Sequence, residues 1–121
     1  MRRLFSTTTR KFVKPIKTTQ FGINILHDPL WNKGMAFPCH ERDRLGLRGL
    51  LPPVFRSIDE QAKRCLKHID EQRDEISKNM YLQDLQDRNE TLYYRVLIEN
   101  IEKLAPLVYT PTVGRVCQEC E

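Results

Sequence analysis

One phenol and a set of thiols are the groups in this chain whose spacing could do chemistry. Tyr109 closes a short apolar run, Leu107-Val108, and stands directly before Thr110-Pro111. That pair suits a helix cap followed by the first helical position, where proline's missing N–H costs nothing. The exposed N–H groups of such a helix start make a seat for a carboxylate or a phosphate. The local design is therefore a proton donor or acceptor held beside an anion site. The competing structural reading is a buried tyrosine bridging two helices.

The four cysteines raise a metal question. Cys65-x-x-His68 and Cys117-x-x-Cys120 together offer four ligands at spacings a zinc site could use. Cys65, however, belongs to the apolar stripe of a helix, and Cys117 and Cys120 sit at i and i+3 of another with no glycine between them. Cys39-His40 has the same composition without a clear geometry. Arg42, Arg44 and Arg48 form a second candidate cluster, but Glu41 and Asp43 are interleaved with them, which reads as a solvated helix surface or a subunit contact.

These groups must be positioned by helices. From Gly22 to Pro38 the chain is irregular, with turns at Asp28-Pro29 and Asn32-Lys33-Gly34 and with Leu26, Leu30, Trp31 and Phe37 as apolar anchors. Glu41 to Leu47 makes a short helix ended by Gly46 or Gly49, with Leu45, Leu47, Leu50 and Leu51 toward the core, and Pro52-Pro53 forces an extended exit. Ser57 followed by Glu60 fits a capping box, and Ala62, Cys65, Leu66, Ile69 and Ile76 continue a helical stripe to about Lys78. Tyr81, Leu82 and Leu85 start a short second helix. Asp87 with Glu90 offers a capping box for a third, whose stripe of Leu92, Tyr93, Val96, Leu97, Ile101 and Leu104 ends at Pro106. A last helix begins at Pro111. The fold class is mainly α.

Length and charge narrow the function classes. A chain of 121 residues with five glycines holds at most one modest domain, and it contains neither G-x-G-x-x-G nor G-x-x-x-x-G-K-[ST], so it carries no dinucleotide or P-loop fingerprint. The formal charge of +4 is concentrated at the start: Arg2, Arg3, Arg10, Lys11, Lys14 and Lys17 precede the first acid, Asp28, and without them the rest carries −2. That balance argues against a nucleic-acid surface. No apolar run approaches the 18 or so residues of a membrane span. Residues 1–19, basic, rich in Ser and Thr and free of acids, have the composition of a mitochondrial transit peptide. They lack the apolar stretch of a secretory signal.

Three strings go further. Tyr109-Thr-Pro-Thr-Val-Gly114, Arg88-Asn-Glu-Thr-Leu-Tyr-Tyr-Arg95 and Glu41-Arg-Asp-Arg-Leu-Gly-Leu-Arg-Gly-Leu-Leu-Pro-Pro53 closely resemble, in order, the N-terminal domain of malic enzymes. The mitochondrial type, including the plant NAD-linked form, is the most similar, and the likeness runs from about Ile25 to the last residue. The resemblance implies that residues 20–121 are the helical first portion of that domain, in a mitochondrial matrix homo-oligomer. Such an enzyme oxidises malate with NAD or NADP, and decarboxylates the product with Mg2+ or Mn2+. It also implies that Tyr109 is the general acid that protonates the enol of pyruvate, and that Arg88 and, less directly aligned, Arg64 hold the activator fumarate at a dimer interface. The alternative for Arg88 is an ion pair with Glu90 or Asp84. The family's catalytic lysine, acidic metal ligands and dinucleotide-binding domain lie beyond the position matching Glu121, so this segment would bind neither cofactor nor metal and be inactive alone. The family adds a sheet and more helices there, so part of the apolar surface would await partners. The rival is a non-catalytic helical interaction module or a zinc-binding module.

Overall fold

The computed structural model describes residues 17–109 and 112–119. Among them the regular elements are helices: α1 (Ile23–His27), a single 3-10 turn (Gly34–Ala36), α2 (Cys39–Arg44), α3 (Ile58–Glu71), α4 (Glu75–Arg88), α5 (Glu90–Glu99), α6 (Ile101–Val108) and α7 (Thr112–Glu119). No described helix is long and apolar enough to cross a membrane. Thr110-Pro111, the expected cap, and residues 1–16 of the expected leader lie outside the described residues.

Two apolar clusters hold the chain. The larger joins α3, α4, α5 and α6 through Ala62, Cys65, Ile69, Leu82, Leu85, Leu92, Tyr93, Val96, Leu104 and Leu107. The smaller packs Ile25, Phe37 and Leu47 with Leu26, Trp31, Leu45 and Leu51 around them. Leu50, expected to face the core, is exposed instead.

The cap at Ser57 forms as the sequence predicts: Glu60 N donates to Ser57 Oγ (3.2 Å) and Ser57 N to the Glu60 carboxylate (3.1 Å). The helix it starts is shorter than expected. It ends at Glu71, the chain turns extended at Gln72, and Asp74 caps a new helix by accepting from Ser77 N at 3.3 Å. Ile76 therefore belongs to α4. Its seven-residue separation from Ile69 preserved the apolar phase across a break that periodicity cannot register.

The next two junctions also depart from the expected pattern, and asparagine makes both. Asn89, nearly fully buried, closes α4 by donating its N–H to Leu85 O (2.8 Å) and opens α5 by accepting from Leu92 N (3.0 Å). Asp87 is still inside α4, so the capping box with Glu90 does not form. Asn100 then splits the long third helix into α5 and α6, donating its N–H to Leu97 O and accepting from Leu104 N. Pro106 does not end α6, which runs to Val108, with Tyr109 N on Ala105 O at 3.0 Å. Pro106 gives up the bond to the carbonyl four residues back and crowds that carbonyl, and α6 continues only two residues past it.

Arg42 departs from the expected solvated surface or subunit contact, while Arg44 and Arg48 remain exposed. Arg42 is 5% exposed and donates to four carbonyls, Phe37 O (2.7 Å), Pro52 O (2.6 Å), Met35 O (3.2 Å) and Val54 O (3.0 Å). One planar guanidinium thus clamps the segments before and after α2. Arg48 does lie at the surface, paired with Asp43, and that contact holds the Asp43 carboxyl below its usual range. α2 ends at Gly46, whose φ of +67° and proximity to the Phe21 ring exclude a side chain.

Candidate functional site

Tyr109 caps the C-terminus of α6 and is 73% exposed, which removes the reading of a buried tyrosine bridging helices. Its position is fixed from behind. Asn79 on α4, almost fully buried, donates to Leu107 O at 2.6 Å and satisfies a carbonyl that the helix end leaves without an intrahelical partner. Leu104 and Leu107 anchor the inner face of α6. On the other side of Tyr109, α7 is seated on α4 by Thr112, whose hydroxyl donates to the Glu75 carboxylate at 3.4 Å, and by Arg115, 3.5 Å from the same carboxylate. The phenol therefore stands at the surface between two helix ends that both lean on α4.

Arg64 and Arg88 come together elsewhere. Both line a cavity of about 640 Å³ between α3 and the C-terminal half of α4. On α3, Gln61, Arg64, Cys65 and His68 follow at i, i+3, i+4 and i+7, so helical geometry puts them on one face. On α4, Tyr81 and Arg88 are two turns apart on the facing side. The segment at Asn32–Met35 closes a third side, and it is tied to α4 by Asn32 Nδ2 donating to Arg88 O at 3.0 Å.

Arg88 lies 3.6 Å from Asp84 one turn back, the ion pair foreseen as its structural alternative. Both partners are more than half exposed, and such surface pairs contribute about 0–1 kcal/mol, so the contact leaves the guanidinium able to bind an anion. The Tyr81 ring lies 4.6 Å from the His68 ring, tilted by 54°. Burial, with a hydrogen bond to Cys65, pushes the Tyr81 phenol up to about 12, while Arg88 pulls the other way. It therefore remains a neutral donor at any physiological pH. Arg56 and Lys67 complete the basic lining, opposed by Glu71.

Sequence reasoning missed Arg56, Lys67 and Tyr81. The α3 face was legible from spacing; Arg56, in an extended segment before the cap, carried no periodic signal. The cysteine pattern is not drawn together. Cys65 is buried in the helical core, His68 is engaged with Tyr81 and with Gln72, and Cys39 and Cys117 are exposed. Among the described residues no group of three His, Cys, Asp or Glu side chains could hold a metal ion, and Cys120 lies outside them.

Comparison with known proteins agrees with the three strings. A family model described as the malic enzyme N-terminal domain matches residues 86–121. The chain is 51% identical over 104 residues, 86% of its length, to the hydrogenosomal malic enzyme of Neocallimastix frontalis. It is 47% identical over 132 aligned positions, 97% of its length, to the mitochondrial NAD-dependent malic enzyme 1 of Arabidopsis thaliana, and 46% identical over 105 residues, 87% of its length, to the mitochondrial NADP-dependent malic enzyme of Homo sapiens. The chain belongs to the malic enzyme family. It spans 17 to 21% of the length of these three relatives.

Proposed function

We propose that this chain supplies the N-terminal part of a mitochondrial oxidoreductase that converts (S)-malate to pyruvate and CO2 while reducing NAD or NADP. The carrying observation is the identity of about half the residues with malic enzymes, two of them named mitochondrial, over 86–97% of the chain. The sequence carries no dinucleotide fingerprint, and among the described residues no group of three His, Cys, Asp or Glu side chains could hold a metal ion. The nucleotide and the divalent cation would be held by other parts of the enzyme. Within this segment Tyr109 would deliver the proton to the enol carbon, a role its accessible position supports. Ile98, Ile101 and Tyr94 are exposed along α5 and the start of α6, an apolar face suited to the subunit contacts of a homo-oligomer. In a malate assay with Mn2+, the complete enzyme should reduce nicotinamide cofactor and the 121-residue chain should not. Turnover by the purified short chain above a matched blank, or none by the complete enzyme with either cofactor, would overturn the reading.

For Arg64 and Arg88 the proposed role is to hold the activator fumarate. Two guanidinium forks on one cavity match the two ends of a dicarboxylate. Replacing either with Ala should raise the fumarate concentration for half-maximal activation roughly tenfold or more, the loss expected for one charged hydrogen-bonded contact. Titrating fumarate at subsaturating malate checks this. An activation curve unchanged in both variants would return the two arginines to a structural role.

A further inference from the structure

The cavity between α3 and α4 carries more positive charge than a dicarboxylate requires. Arg56, Arg64, Lys67 and Arg88 line it against a single acid, Glu71, leaving an excess of three cations. Glu71 is shared by Lys67 at 3.8 Å and His68 at 4.0 Å, and the acid beside Arg88, Asp84, is not part of the lining. Arg56 and Arg64 have no ion-pair partner among the described residues. Arg56 is half-buried, and a guanidinium partly withdrawn from water without a carboxylate keeps an unmet demand for negative charge. The volume points the same way. About 640 Å³ falls within the roughly 300–1,000 Å³ of pockets that enclose drug-sized ligands, well beyond a four-carbon dicarboxylate. Tyr81 adds a hydroxyl donor, and Met35, Leu85 and Leu92 give an apolar wall for a carbon skeleton.

We propose that this cavity selects small organic anions with at least three negative charges, phosphorylated acids or tricarboxylates, over dicarboxylates, with Arg56 supplying the discriminating charge. This rests on Arg64 and Arg88 forming an anion site. A dicarboxylate would engage those two and leave Arg56 facing uncompensated positive neighbours, whereas a third anionic group would pair with it.

Calorimetric titration of the full-length protein at low salt, with fumarate, citrate and phosphoglycolate as probes, tests the selection. At least one of the two trianions should bind tenfold or more tightly than fumarate, and the gap should narrow as salt screens the extra charge. Citrate alone doing so would assign the site to tricarboxylates, phosphoglycolate alone to phosphorylated acids. In Arg56→Gln the gap should shrink to about threefold or less. Arg56 makes no side-chain hydrogen bond within the described chain, so folding should survive; a melting curve confirms it, and Arg56→Lys, which keeps the charge, should retain most of the gap. If fumarate binds as tightly as both trianions and Arg64→Ala abolishes that binding, the charge selection is wrong while the dicarboxylate site stands. A gap that persists in Arg56→Gln also overturns the selection. If no probe responds to Arg64→Ala or Arg88→Ala, both readings fall together.

Discussion

Tyr109→Phe in the complete enzyme should lower turnover by roughly 10² to 10⁴, the usual contribution of a positioned general acid, with folding and malate binding preserved. The side chain is 73% exposed and enters neither apolar cluster, so the ring remains and only the hydroxyl is lost. The packing that places it, Asn79 on Leu107 O and the buried Leu104 and Leu107, lies behind the backbone and is untouched. The Tyr109 hydroxyl carries a proton that it can donate. Having given it up, the phenolate must be stabilised by a nearby cation and reprotonated by an acid each cycle; family resemblance assigns the cation to a lysine outside this segment, whose ammonium group can also return the proton. The affected step can be isolated by following tritium exchange at the methyl group of pyruvate beside hydride transfer from malate. Exchange should fall far more than hydride transfer. A Phe variant that exchanges at the normal rate would leave Tyr109 as a surface residue without a chemical role.

Arg42→Ala should destabilise the protein by about 3 kcal/mol or more, because hydrogen bonds to a charged donor contribute about 1.5–3 kcal/mol each and four end together. Among the described residues the smaller cluster has three buried members, Ile25, Phe37 and Leu47, a small core to hold the segments around α2 without the clamp. Arg42→Lys should recover little, since one ammonium cannot serve the same fork of directions. Urea unfolding reads the effect as a lowered midpoint. A midpoint for Arg42→Ala within about 0.5 kcal/mol of the parent, the range of ordinary surface changes, would show that the four bonds contribute nothing net.

Several helix limits were legible because the signal was local. The capping box needs only Ser57, Glu60 and the turn between them, and Gly46 ends α2 because its own backbone requires positive φ. The breaks at Gln72 and Asn100 were not legible, since Ile69 to Ile76 and Leu97 to Ile101 keep helical spacing across them. Asn89 and Asn100 do their capping through carbonyls and N–H groups that exist only once both flanking helices are in place. Pro106 misled for a related reason: the two residues beyond it are held by tertiary contacts, with Leu107 buried and its carbonyl taken by Asn79, which no local pattern shows.

For function the division falls differently. The sequence by itself determined the family, because three strings in fixed order identify a chain without any geometry, and it singled out Tyr109, Arg64 and Arg88 by that likeness. Only the tertiary structure decided that Tyr109 is accessible, that Arg64 and Arg88 share one cavity 24 positions apart in sequence, and that Arg56 joins them there. The same folding took Arg42, written among exposed charges, into the interior. Charge and spacing specify what a side chain can do, but which groups it meets depends on how α3 crosses α4 and where the loop at Asn32 closes, and no local pattern encodes that.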